Sequence, residues 1–312
     1  MRALRLLPVF LALLVTACAT PAWRTRVSAA PPAGVPRAFL WEVTRPEAPD
    51  KPLYLTGSVH LGKPGQFVFP PSMEAAFARS QKLVVELDPK ETQKQLKAVQ
   101  TWIMLLGVLG PSESLSAMLS PETRALLPAA IQRTGLPAEA VERMRPWLAA
   151  ITLEMMDLRK AGYSEEGGID NLLLSRARGN KDIVELETAE EQIRVFAKFP
   201  DDLQELMLRE QLQSETGTAE GLGKMSAAWV EGNPESLARM LFDNMDNPTY
   251  QPFYEALFFD RNRKMADTLV ALMDAPEIHF AVVGAGHVVG QEGLLDLLMR
   301  RGFHVRQLPR EP

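Results

Sequence analysis

The sequence predicts an α/β fold. A central sheet is built from two strand, Gly-x-x-His, helix, strand units, one near each end of the chain, with a large, mainly helical insertion between them. Three observations carry this expectation. Residues 55–62 (Leu-Thr-Gly-Ser-Val-His-Leu-Gly) and 283–290 (Val-Gly-Ala-Gly-His-Val-Val-Gly) close two apolar, strand-like runs with the same Gly-x-x-His device. Each is followed by a helical stretch and another short apolar run, and helices that join strands favour parallel pairing in a layered sheet. Between about residues 91 and 275 helical periodicity dominates.

The elements follow in order. Residues 39–43 and 53–56 read as strands, with a turn across the Pro- and charge-rich stretch 46–51. A helix starts at Pro71 and runs to Arg79, and 82–88 is a strand stopped by Pro89. Residues 93–109 read as one buried helix, because the apolar run 102–109 is too short to span a bilayer. Ser120-Pro121-Glu122 and Asn233-Pro234-Glu235 are helix starts, each with a capping side chain, a proline in the first turn and an early acid. Residues 146–160 and 200–214 are further helices. One strand, 182–187, interrupts the insertion. It follows a helix over 170–178, with Asp170 as expected N-cap, and a Gly179-Asn180 turn, and it precedes a helix from Ala189. The chain closes with a strand over 277–284, a helix over 290–301 ended by Gly302, and a strand over 303–308.

This order puts the chemistry on one edge. His60 and His287 lie just past two strands, Glu86 and Asp88 end a third, and Glu185 and Glu187 end the fourth. In parallel α/β sheets ligands bind outside the carboxyl ends of strands. There are only four histidines in 312 residues. The glycine before each of these two leaves room for an ion or substrate beside the ring. Neutral imidazoles with one or two carboxylates suit Zn, Mn, Co or Fe(II), and such an ion can activate water or polarise a carbonyl. Asp88 reads equally as a turn cap and Glu187 as a helix cap. His279 and His304, without glycine context, read as packing or surface residues. Arg261 and Asn262 lie on a helix before the last long strand, where an arginine can bind a carboxylate or an oxyanion.

The net charge of −5 and pI near 5.6 leave no basic footprint for nucleic acid. No nucleophile elbow, His-Glu-x-x-His or phosphate-binding glycine loop is present. Arg2 and Arg5 followed by the apolar run 6–15 form a short export signal. Val15-Thr16-Ala17-Cys18 resembles the cleavage site of a bacterial lipoprotein. That resemblance implies removal of residues 1–17 and lipid on Cys18, the sole cysteine. Ala19 in the following position then favours the outer membrane, facing the periplasm. The Ala- and Pro-rich stretch up to residue 37 reads as a tether, and a single domain is expected over 38–312.

The ordered blocks Phe39-Leu40-Trp41-Glu42-Val43, Leu53 to Gly62, Leu83-Val84-Val85-Glu86-Leu87-Asp88, Gly168-Ile169-Asp170, Leu186-Glu187-Thr188, Arg261-Asn262 and Val283 to Gly290 together resemble the TraB/PrgY/GumN family, which includes the Tiki-type metalloproteases. Ser58 stands where that family usually has threonine. The resemblance implies a mixed sheet with helices and an active-site core of His60, His287 and Glu86, with Mn or Co as the ion. Four expectations follow. His60, His287 and Glu86 hold a divalent metal (Mn, Co or Zn). Glu86, Glu187 and Arg261 serve catalysis, and Asn262 and Asp170 contact substrate. The chain is an envelope-anchored hydrolase acting on a peptide. Its alternatives are a lipoprotein that sequesters a peptide, haem or other small molecule without cutting it, or an ester hydrolase.

Overall fold

A computed structural model describes residues 31–312, except 33, 215 and 216. The signal segment, Cys18 and most of the tether lie outside the described residues. Six strands form one sheet: β1 (Arg37–Arg45), β2 (Ala48–Ser58), β3 (Lys82–Val85), β4 (Asp182–Glu185), β5 (His279–Gly284) and β6 (His304–Pro309), in the order β4-β3-β5-β2-β1-β6. The run β4, β3, β5, β2 is parallel, and β1 is antiparallel to both its neighbours. The sheet is therefore mixed, with β1 alone running against the rest. Burial explains the order. All six residues of β5 are buried, as a central parallel strand covered on both faces requires, whereas β4 at the edge is only half covered.

The first hairpin is tighter than the sequence suggested. Arg45 pairs with Ala48, so β2 begins well before the expected 53. At the other end, the helix expected over 290–301 forms only over Leu294–Arg300. Gly290 and Glu292 both take positive φ, which the right-handed helix excludes.

The insertion is helical, with β4 embedded in it. Ser120 and Asn233 cap their helices as read from sequence, and Pro146–Lys160 is a helix throughout. The stretch read as one helix over 93–109 is two, Pro89–Lys94 and Leu96–Gly107. Asp88 caps the first by accepting from the Lys90 N–H. Helices of the insertion close a small second core around Leu115, Leu127, Leu153 and Leu208. Elsewhere they continue the main core, where the Trp229 indole N–H donates to the Gly57 carbonyl at 2.8 Å. That bond ties a remote helix to β2, the strand that leads to His60.

Candidate active site

The carboxyl ends of β2, β3, β4 and β5 meet at one edge, and four side chains expected there converge. A Cβ placed on Gly284 would lie 2.9 Å from His60 Nε2, 3.1 Å from Glu86 Oε1 and 3.4 Å from His287 Cδ2. The three groups thus surround one small space that a side chain at 284 would fill. The Gly284 N–H donates to Glu86 Oε1, and His287 Nε2 lies 3.8 Å from the same oxygen.

Each imidazole is held from behind. His60 Nδ1 faces Asp170 Oδ2 at 3.3 Å, and Asp170 also accepts from the Ser58 hydroxyl at 2.6 Å. His287 Nδ1 lies 2.6 Å from Asn262 Oδ1, while the Asn262 amide nitrogen donates to the Glu292 carbonyl at 2.7 Å. An amide oxygen and a carboxylate only accept, so both histidines carry a proton on Nδ1, and Nε2 is the nitrogen each could offer to an ion once that nitrogen is unprotonated.

Across the space, Arg261 bridges two carboxylates. Its guanidinium donates to Glu86 Oε2 at 2.9 Å and to both Glu187 oxygens at 2.7 and 2.5 Å. Gln192 adds bonds to Glu86 at 3.3 Å and Glu187 at 3.1 Å. Arg261 and Asn262 lie early in the helix Asp260–Leu272, directly after a π-helical segment, Glu255–Phe259. Such segments are frequent at functional sites.

The electrostatics separate the two histidines. Burial opposes a charge on His60, but Asp170, by charge and hydrogen bond, and Glu86 overcome it and raise the pKa to about 9. Its side chain remains 42% exposed, so solvent screens these charges. His287 is pushed down to about 3, first by burial and then by the Arg261 charge, and is neutral. Burial works against ionisation of Glu86, but the neighbouring His287, Arg261 and His60 and the Gly284 N–H hold it down at about 2. With His287 neutral, Arg261 and His60 are the cations beside Glu86.

Other expected residues fall elsewhere. Asp170 does not cap its helix. Gly168 does, and Asp170, in the first turn of Ile169–Ala177, reaches back to β2. Gly168 is required there, since a Cβ would sit 2.1 Å from the His60 carbonyl oxygen. Asn262 is fully buried behind His287 with both amide ends engaged. Glu187 does not cap the helix Ala189–Ala197, whose capping box is Thr188 with Glu191. Glu185 and Glu187 part company because β4 stops at Glu185. Glu185 accepts from the Asp88 N–H and Asp88 pairs with Arg178, so neither joins the cluster. Both help line a polar groove of about 490 Å³ beside β4 that shares no side chain with it. His279 is buried at the opposite end of β5, and His304 is exposed. Sequence reading missed Gln192. Its only local signal is its place on the helix that follows Glu187.

Among the described residues no group of three or more His, Cys, Asp or Glu side chains has metal-ligand spacing as it stands. The donors are nonetheless of a suitable kind. Two imidazole nitrogens with fixed tautomers and one carboxylate oxygen border the open space over Gly284.

The sequence profile of the TraB/PrgY/gumN family matches residues 39–307. The chain belongs to that family. Its described relatives include the uncharacterized protein YbaP of Escherichia coli (strain K12), 28% identical over 78% of this chain and 87% of that protein, with the same figures for YbaP of Shigella flexneri. The metalloprotease TIKI2 of Danio rerio is 26% identical over 87% of this chain and 61% of that protein. No solved structure matches. The match spans every strand but the first two residues of β1 and the last two of β6, and all the clustered side chains.

Proposed function

We propose that this cluster is the active centre of a divalent-metal-dependent hydrolase acting on peptide bonds. The observation that supports it is the convergence of His60 Nε2, Glu86 Oε1 and His287 on one open space, with both rings fixed at Nδ1. His60, His287 and Glu86 would hold the ion, Mn, Co or Zn, and the ion when bound would polarise a carbonyl or acidify water. The likeness to TIKI2, named as a metalloprotease, favours this chemistry over others.

The chain's own residues have distinct parts. Asp170 and Asn262 fix the tautomer and direction of the two rings, so we assign them positioning rather than substrate contact. Both Glu187 oxygens are taken by Arg261 and Gln192. Glu187 therefore positions Arg261, whose guanidinium offers a fixed positive charge to a substrate carboxylate or developing oxyanion. We also propose that lipid on Cys18 holds the chain to the bacterial envelope, facing the periplasm.

Metal content and peptide cleavage in wild type, His60→Ala and His287→Ala test the centre. Wild type is expected to hold about one ion per chain and both variants to lose it along with cleavage. Unchanged metal in both variants would sink the assignment. Metal retained in wild type, with peptide depleted but no fragments formed, would favour the sequestering alternative instead. Cell fractionation of Cys18→Ser tests the anchor, with release from the membrane fraction as the expected result.

A further inference from the structure

The helix Leu96–Gly107 is unusual for its surroundings. Its sequence, Leu-Lys-Ala-Val-Gln-Thr-Trp-Ile-Met-Leu-Leu-Gly, is mostly apolar, yet Gly107 is its only buried residue. Met104 is 61% exposed, Leu105 65% and Leu96 48%. Among the described residues these are three of the six large hydrophobic side chains counted as exposed. One side of the helix is accounted for. It packs on the helix Ala189–Ala197, Arg194 lies 4.4 Å over the Trp102 ring, and Trp147 donates to the Leu106 carbonyl. The outer side has no partner within the described residues. Exposed apolar side chains grouped on one short helix are a signature of a contact surface.

We propose that this helix docks on the surface of an anionic lipid membrane. Two observations select that occupant. The first is charge. Lys90, Lys94 and Lys97 lead into the apolar turn against a single acid, Glu91, which Lys94 already pairs. On the outer side Lys97 lies beside Met104 and next to Leu105, whereas Leu96 lies on the other flank, and exposed apolar side chains interleaved with lysines are the composition of helices that lie in a membrane interface.

The second is where the chain enters the fold. β1 runs against β2, with Leu40 opposite Thr56, so Arg37 lies at the edge where β2 ends and His60 sits. The helix is reached from the same edge, because the chain passes from the end of β3 through Pro89–Lys94 into Leu96. Thirty residues precede Pro31, among them the apolar run 6–15 and Cys18. Nineteen residues separate Cys18 from Arg37, a reach of at most about 65 Å even fully extended. An anchor at Cys18 would therefore limit how far this edge can stand from the bilayer. Docking then turns the His60–Glu86–His287 space toward the lipid surface, and the centre meets substrates at the membrane rather than in bulk solvent. This orientation rests on the anchoring of Cys18 proposed above, whereas the contact of the helix with lipid does not.

The test uses the full chain carrying Cys18→Ser, so that a single introduced cysteine reports position. An environment-sensitive fluorophore is placed at Met104→Cys or, as control, at Asp50→Cys, in the exposed hairpin at the opposite edge. Vesicles of phosphatidylglycerol with phosphatidylethanolamine are added, with and without brominated acyl chains. The label at 104 is expected to brighten and be quenched by bromine, and the label at 50 to do neither. Phosphatidylcholine vesicles, or Lys94→Glu with Lys97→Glu, should weaken the response by about tenfold. No change at 104, or equal quenching at 104 and 50, overturns the proposal. So does brightening that tracks protein concentration without lipid, which would make this face a contact between copies of the chain. Because the Cys18→Ser background removes any lipid, failure of the anchor and failure of the helix are read separately.

Discussion

At the scale of single residues, the two histidines differ in what stands behind them, and that difference is testable. Asp170 is a charged acceptor on a partly open ring, and Asn262 is a neutral acceptor on a closed one. Replacing Asp170 by Asn keeps the bonding shape but removes the charge that raises His60. The His60 pKa should therefore fall from about 9 toward its ordinary range, as followed by NMR titration of the ring in metal-free protein. An unmoved titration would mean that Glu86, not Asp170, sets it. Asn262→Ala leaves His287 Nδ1 without its acceptor in a buried site. It should cost about 1–3 kcal/mol of stability and weaken metal binding about 10- to 100-fold, measured by denaturant unfolding and calorimetry. Equal metal affinity in wild type and variant would remove Asn262 from the positioning role.

At the scale of elements, what sequence made legible was what local pattern encodes. The Gly-x-x-His strand ends, the caps at Ser120 and Asn233, and the Pro146–Lys160 helix are each written in a few adjacent residues. The places where the reading failed are those where a distant contact overrides the local signal. Asp170 has the look of an N-cap, but 110 residues separate it from the His60 ring that it serves. Glu185 and Glu187 alternate as strand residues should, but the strand ends between them. Gln192 enters the site across 106 residues of sequence from Glu86, and no local motif marks it. The loop that delivers Asp170 gives the sharpest element-level prediction. Gly168→Ala forces a Cβ against the His60 carbonyl oxygen, so the turn must move and take Asp170 with it. A loss of about 2 kcal/mol or more is expected in urea unfolding, together with the His60 pKa change seen in Asp170→Asn. A variant that unfolds like wild type would show that this turn is free to shift.

At the scale of the whole molecule, the helical insertion does more than fill space, because it sets how the segments reaching the site respond to pH. Glu210, on the helix Asp201–Gln213, is buried and accepts from the Tyr250 hydroxyl at 3.0 Å. Tyr250 leads through the π-helical segment into the Arg261 helix, so this bond ties an earlier helix of the insertion to the strip that delivers Arg261 and Asn262. Burial pushes the Glu210 carboxyl up to about 9, against the smaller opposing effects of Tyr250 and Arg209. The sign follows from the proton count. Above its ordinary value of 4.5 the unfolded chain gives up this proton, whereas the folded chain keeps it until about pH 9. The folded state therefore binds more protons, and its stability falls as pH rises through that window. One such group contributes a slope of about −1.4 kcal/mol per pH unit, fully developed only between the two pKa values. Glu210→Gln keeps a neutral, hydrogen-bonding side chain of the same shape and has no proton to lose. It should match wild type near pH 4 and exceed it increasingly toward pH 8, as measured by urea unfolding at each pH. Parallel stability curves for the two proteins would show that Glu210 ionises normally in the fold and that this tie is not pH-dependent.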